Sequence, residues 1–360
     1  MFYTSIDQVE IELTTRCNAA CPQCIRNYYG DYEWPTLPMV DIDLELTCQA
    51  LLPILHSNPH IKLCGTYGDP CVYPRLHEFV KWIKQNSQCA ITINTNGSLR
   101  NEKWWSDLAQ ILDKKDKVFF GIDGLKDTNH LYRRRTNWDL IIRNLKAFNA
   151  AGGISHWSYI VFEHNQHQVE QARELSKQLG CQNFAVKLTS RFVDKTHNLV
   201  DATPVYENSQ PVYFIRPPSD KNYLNPGYEQ FSKKINNDYN TSVNQVSIKC
   251  MTQQTGLLQI TAEGYVLPCA WIYDRFYGFE PEQTTARKQI FELIEATGGL
   301  DKLSLYNHSI LDIVKGKFFT AVQESWAQNK LQRCAHQCGL AVDLHKNSHK
   351  NFTELSGPRY

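Results

Sequence analysis

No apolar run in the sequence approaches the roughly 20 residues that a membrane-spanning helix needs. The opening MFYTSIDQVE lacks both the basic stretch and the apolar core of a secretory signal. These two absences point to a cytoplasmic protein. Neither sign of charge is in surplus: 38 Lys and Arg against 37 Asp and Glu leave +1, so no overall field argues for nucleic acid or a membrane surface as a partner. No internal repeat is evident. Cysteine, by contrast, is abundant, with twelve in 360 residues. A reducing compartment does not favour disulfides, which leaves metal ligation, catalysis or burial for these thiols. With 42% hydrophobic and 21% charged residues, the chain can bury a proper core. Its length allows a large domain and a smaller one.

From residue 8 to about 192, β-rich runs alternate with amphipathic helical stretches. Strands are expected at 8–15, 61–65, 89–97, 117–123, 157–165 and 184–192. Leu76, Phe79, Val80 and Ile83 form one helical stripe, as do Ile141, Ile142, Leu145 and Phe148. Gly152–Gly153 and Gly180 stand where helices end. Six strand–helix units in series imply an α/β fold with a parallel sheet and right-handed crossovers. Periodicity alone does not separate a partial barrel from an open doubly wound sheet. Residues 203–245, rich in Pro, Asn and Tyr, read as an irregular linker or lid. Order returns at about 246 with a hairpin turning at Ala262-Glu263-Gly264, then helices near 284–297 and 309–328, and residues 346–360 form a polar tail.

Cys17, Cys21 and Cys24 form C-x3-C-x2-C directly after the first strand. Soft thiolates suit zinc, Cu(I) or iron–sulfur clusters. Structural zinc closes with four ligands, and no fourth Cys or His lies nearby. Three cysteines hold three irons of a [4Fe–4S] cube and leave one iron open. The segment TTRCNAACPQCIR resembles the radical S-adenosylmethionine (SAM) signature in spacing and in its place after the first strand. The resemblance implies a partial (β/α)6 TIM-type barrel over residues 1–202, with Cys17, Cys21 and Cys24 ligating a [4Fe–4S] cluster whose open iron binds SAM. It also implies that an electron from a donor such as flavodoxin or ferredoxin cleaves SAM to a 5′-deoxyadenosyl radical. Many members carry an aromatic residue where this chain has Gln23.

The second strand ends in CGTYGDP, which is similar to the family's glycine-rich SAM loop. Gly65, Tyr67, Gly68 and Asp69 are its site residues by that resemblance, although Gly-Asp-Pro is also ordinary turn chemistry. Asn94, Asn96, Asp123, Asn165, Lys187 and Arg191 sit at strand ends. By resemblance Asn96 and Asp123 are assigned to the ribose hydroxyls, and Arg133 or Arg134, with Arg134 chosen, to the SAM carboxylate.

Cys250, Cys269, Cys334 and Cys338 make a second set of four, for which zinc and an iron–sulfur cluster are both open on geometry. The arrangement resembles the C-terminal twitch extension, the short form of the SPASM domain, which implies one auxiliary [4Fe–4S] cluster within residues 246–345. His336 is a spare ligand in that segment. Cys48, Cys64, Cys71, Cys89 and Cys181 are expected to pack, with Cys71 close to the SAM loop. By resemblance the substrate is a ribosomally made precursor peptide that is cross-linked, epimerised or shortened. The alternatives are a small-molecule dehydrogenase that uses the auxiliary cluster and, further off, tRNA modification. The first strand begins within ten residues of Met1, so leader recognition is assigned to a separate partner protein.

Overall fold

The computed structural model describes residues 2–193, 199–235, 238–278, 284–346 and 349–350. Six parallel strands form its centre: β1 (Gln8–Ile11), β2 (His60–Leu63), β3 (Ile91–Thr95), β4 (Lys117–Gly121), β5 (Ser155–Val161) and β6 (Asn183–Leu188). They pair in chain order, each with the next, as a series of right-handed crossovers requires. The crossover helices are Leu44–Leu55, Leu76–Asn86, Glu102–Ile111, Trp138–Ala150 and Val169–Gln178. Short polar side chains start three of them: Asp43, Asn101 and Asn137 each accept the amide of the residue three places on. Gly152 and Gly180 take positive φ after the fourth and fifth helices, as the sequence suggests.

Alternate residues of the strands face opposite ways. Val9, Ile11, Ile61, Leu63, Ile91, Ile93, Val118, Phe120 and Val186 are buried in the main core, against the helix stripes. The other face carries Glu10, Lys62, Thr92, Lys117 and Lys187, with Glu10, Lys62, Thr92 and Lys117 in register across β1 to β4. That polar face is the interior of an open barrel. Burial pushes Glu10 up to about 7 despite Lys62 beside it, and lowers Lys187.

The C-terminal part joins the same sheet. β9 (Leu257–Ile260) runs parallel to β1, and β10 (Val266–Leu267) turns back antiparallel on β9. The turn falls at the residues read as a hairpin turn, with Gly264 at φ 85°. Residues 203–245 are more regular than their composition suggests. They form a hairpin of β7 (Thr203–Glu207) and β8 (Gln210–Ile215), then helices Gly227–Ile235 and Tyr239–Gln245. Asn208 and Ser209 both adopt positive φ in a two-residue hairpin turn, which lets so proline-rich a segment pair at all. Helices Thr284–Ala296, Ile310–Lys315 and Lys317–Glu324 fall where the sequence places them. β11 (His349–Lys350) adds to β6, and residues 351–360 of the expected polar tail lie outside the described residues. No described helix is long and apolar enough to cross a membrane.

Candidate functional site

The loop leaving β1 folds back so that Cys17, Cys21 and Cys24 share one small cluster with Tyr132, Phe162, Phe192, Val205 and Ile215. Its turns are fixed by Cys24 N–H donating to the Cys21 carbonyl at 2.9 Å and Ala20 N–H to the Arg134 carbonyl at 3.0 Å. All three are free thiols. N–H groups aim at two of the sulfurs: Ala19 N at Cys17 Sγ (3.4 Å), Asn96 Nδ2 at Cys17 Sγ (3.9 Å) and Arg133 Nη1 at Cys21 Sγ (3.8 Å). Burial raises the Cys17 thiol far above its ordinary value and pushes Cys21 up to about 11, with Arg133 pulling Cys21 down. Three cysteines of one loop packed in one cluster, two of their sulfurs met by N–H donors, are the donor set that a partly open iron–sulfur cube takes. Among the described residues, no three His, Cys, Asp or Glu side chains close round a single metal ion.

The glycine loop packs beside these cysteines. Gly68 lies on the end of β1, where a Cβ would sit 1.8 Å from the Thr14 carbonyl oxygen. At Gly65 a Cβ would meet the Gly68 carbonyl oxygen at 2.0 Å, so both glycines are dictated by close backbone approach. Asp69 is buried and saturated. Its carboxylate accepts from Thr95 Oγ1, Asn96 N, Asn96 Nδ2 and Cys71 N at 2.7–2.9 Å. Asp69 therefore orients Asn96, whose Nδ2 also reaches Asn18 Oδ1 at 2.8 Å. Tyr67 points away from the cysteines, its hydroxyl donating to the Tyr273 carbonyl at 3.0 Å. Cys71 is fully buried in the turn that follows.

Asp123 closes the other side. Its Oδ2 accepts Arg133 Nε at 2.6 Å and its Oδ1 accepts Ile160 N at 2.6 Å. Burial opposes the charge on Arg133, but Asp123 and Cys21 more than offset that and keep the guanidinium charged. Gly121 makes the space, since a Cβ there would lie 2.5 Å from Arg133 Nη2. The structure thus puts Arg133, rather than the chosen Arg134, against the cysteines. Arg134 runs to the β7–β8 hairpin, with Nη1 on the Tyr213 hydroxyl at 3.3 Å and the guanidinium over that ring. Gln23 ties the cysteine loop to the same hairpin through Thr203 Oγ1 at 3.0 Å, and Arg191 Nη1 donates to the Gln23 carbonyl at 2.8 Å. Of the residues named from sequence, Cys17, Cys21, Cys24, Gly65, Gly68, Asp69, Asn96 and Asp123 surround one region. Tyr67 and Arg134 are turned elsewhere.

Glu12 went unread in the sequence. It lies just past β1, continues the polar alternation of Gln8 and Glu10, and sits 1% exposed beneath the glycine loop.

The four C-terminal cysteines line one cavity together with Phe2 and Trp271. Cys250 caps the helix Met251–Gln254, and Cys338 donates to it, which lowers Cys250 to about 6 and raises Cys338. Burial raises Cys269 well above its ordinary value and Cys334 to about 12. His336 faces Tyr239, whose hydroxyl lies 3.1 Å from its Nδ1. Four thiols round one cavity, three of them on buried residues, suit a fully ligated cluster or a structural ion equally.

Residues 11–175 match the family model described as the Radical SAM superfamily. Over 117 residues, 32% of this chain, the sequence is 31% identical to the tungsten-containing aldehyde ferredoxin oxidoreductase cofactor-modifying protein of Pyrococcus furiosus. That match spans only 30% of the relative's length. Among solved structures, native anSMEcpe with bound AdoMet is similar over 97% of this chain and 91% of its own, at 13% identity and a TM-score of 0.51. The same protein with AdoMet and a Cp18Cys peptide gives 14% identity, the same coverage and the same TM-score. At that identity the likeness speaks for the fold, an open α/β barrel. Family match, fold and the place of the three cysteines agree on a radical SAM domain over residues 11–175.

Proposed function

We propose that this chain binds a [4Fe–4S] cluster on Cys17, Cys21 and Cys24, binds SAM beside it, and modifies a ribosomally made precursor peptide by hydrogen abstraction. The grouping of those three cysteines beside the glycine loop, with Asn96 bonded to Asp69 and facing Cys17, carries the reading. Once bound, the cluster and SAM supply a 5′-deoxyadenosyl radical. The chain's residues position and shield. Asn96, fixed by Asp69, faces Cys17, and Arg133, fixed by Asp123, offers a guanidinium to the SAM carboxylate. Phe162, Phe192 and the β7–β8 hairpin cover the cysteine loop and keep water from a reactive intermediate.

The peptide assignment is supported by the hairpin's outer face. Val212 and Phe214 are 48% and 57% exposed there, directly over the segment that covers the cysteines. Tyr223 and Tyr228, further along the same aromatic segment, pack inward. A small-molecule substrate is the second reading. It is favoured by the four-cysteine cavity, which would take the second electron in a dehydrogenation, and by the Pyrococcus relative, whose name makes it a cofactor modifier. We further propose an auxiliary [4Fe–4S] cluster on Cys250, Cys269, Cys334 and Cys338. We assign residues 1–202 to the barrel and 246–345 to the auxiliary domain, with a flavodoxin or ferredoxin as donor and a separate leader-recognition protein.

The test is anaerobic co-expression with any short precursor-like gene found beside this one, followed by mass spectrometry of the peptide. A SAM-dependent loss of hydrogen, or exchange of an α-hydrogen for solvent deuterium, supports the peptide reading. An unchanged peptide, with polyol-dependent formation of 5′-deoxyadenosine, would replace it by the second.

A further inference from the structure

The glycine loop is gripped from two sides by residues that lie outside the cysteine site. On the barrel side, Glu12 Oε1 accepts both Tyr67 N–H and Gly68 N–H, each at 2.7 Å. Glu12 is buried, and among the described residues its Oε2 has no hydrogen-bond partner. A buried carboxylate is costly to keep, and burial pushes this one up to about 8 against the pull of the amides. On the opposite side, the Tyr67 ring packs edge-on to Tyr273 and Tyr277, at 5.0 and 5.5 Å between centroids. Its hydroxyl ends on the Tyr273 carbonyl. Tyr273 and Tyr277 in turn place both their hydroxyls on Glu263, at 2.9 and 2.6 Å. Tyr273 belongs to the helix Ala270–Tyr273, which starts immediately after Cys269.

Peptide planarity turns these grips into a statement about SAM. A trans peptide points its C=O opposite its N–H. With the amides of Tyr67 and Gly68 both drawn to Glu12, the carbonyls of Thr66 and Tyr67 are fixed facing away from it. The Tyr67 carbonyl is taken by Arg26 Nη1 at 3.5 Å. The Thr66 carbonyl has no hydrogen-bond partner among the described residues. It is thereby set as an acceptor for an ammonium group. Gly65 and Gly68 leave no room for a side chain of their own, so the loop holds its path between these anchors.

We propose that Glu12 and Tyr67 are positioning residues that shape the 65–69 loop for SAM, Glu12 from the barrel floor and Tyr67 from the segment after Cys269. This rests on the SAM site proposed above, and it adds that SAM affinity depends on two side chains that need not touch SAM. The SAM-independent readout is hydrogen–deuterium exchange of the peptide covering residues 64–69. The SAM-dependent readout is the equilibrium dissociation constant on anaerobically reconstituted protein, with iron content as control. In Glu12→Leu the two amides lose their acceptor, so exchange at Tyr67 and Gly68 speeds up and SAM binding weakens about tenfold or more, at unchanged iron. Glu12→Gln keeps one oxygen for both amides and rescues both readouts. Tyr67→Phe keeps the ring, loses the hydroxyl and weakens SAM binding about three- to tenfold. Wild-type exchange in Glu12→Leu, or a Glu12→Gln variant as impaired as Glu12→Leu, overturns the anchoring role. If wild type binds no SAM while the exchange pattern holds, the SAM site is wrong and the anchoring of the loop stands.

Discussion

Asp123 and Arg133 allow the sharpest energetic test of the site. The pair is 2.6 Å apart, with Asp123 wholly buried and Arg133 about one-fifth exposed. Asp123→Asn preserves the oxygen that accepts Ile160 N but presents an amide in place of the oxygen that accepts Arg133 Nε. Removing one member of a buried pair leaves an uncompensated charge and costs about 3–5 kcal/mol. Arg133 retains its contact with Cys21, so the lower end applies, about 3 kcal/mol. Replacing both members with apolar residues, Asp123→Leu with Arg133→Met, removes the stranded charge and recovers most of the loss. The assay is anaerobic urea unfolding of cluster-loaded protein for wild type and Asp123→Asn, and for Asp123→Leu, Arg133→Met and their double variant, the last three read with wild type as a double-mutant cycle. Asp123→Asn within about 1 kcal/mol of wild type, or a coupling energy near zero, would refute the pair as the structural anchor of Arg133.

Burial lifts Glu12 to about 8, so protonated Glu12 favours the folded state: its stabilisation is complete below the unfolded carboxylate range near 4.5 and is lost as pH rises through 8. Wild type should therefore lose stability relative to Glu12→Gln between about pH 4.5 and 8, by at most about 1.4 kcal/mol per pH unit, and pH-dependent unfolding of the two checks this. Gly121→Ala places a methyl group 2.5 Å from Arg133 Nη2 and should displace that guanidinium, weakening SAM binding with iron content intact. A Cys334→Ser/Cys338→Ser variant should lose the iron of the proposed C-terminal cluster and keep SAM cleavage, measured by iron analysis beside 5′-deoxyadenosine formation. Retention of all the iron would contradict the C-terminal ligand set.

The barrel was legible because each parallel strand carries its own periodic signal and each crossover helix its own stripe and stop. Gly152 and Gly180 mark ends that the backbone confirms with positive φ. The cysteine loop was legible for the same reason, since its spacing is local. Misread features depended on contacts distant in sequence. Residues 203–215 contain Pro204 and Pro211, which argue against a strand, and the hairpin forms because Asp31 Oδ1 and Oδ2 accept the amides of Asn208 and Ser209 at its turn. Tyr67 belongs to the glycine loop, but the direction of its side chain is set by Tyr273, over two hundred residues later. Arg133 and Arg134 are adjacent and chemically alike, and only the fold shows that Gly121 opens a space for the first. Glu12 follows Gln8 and Glu10 in regular alternation with Val9, Ile11 and Leu13, so it reads as one more polar-face residue rather than as a buried acceptor.

The most direct measurement is iron and sulfide content, with SAM cleavage, in anaerobically reconstituted wild type and a Cys17→Ala/Cys21→Ala/Cys24→Ala variant. The account predicts about eight irons in wild type and about four in the variant, with 5′-deoxyadenosine formed only by wild type, since each cube holds four irons. Unchanged iron in the triple variant, or SAM cleavage that survives it, would contradict the assignment of these three cysteines.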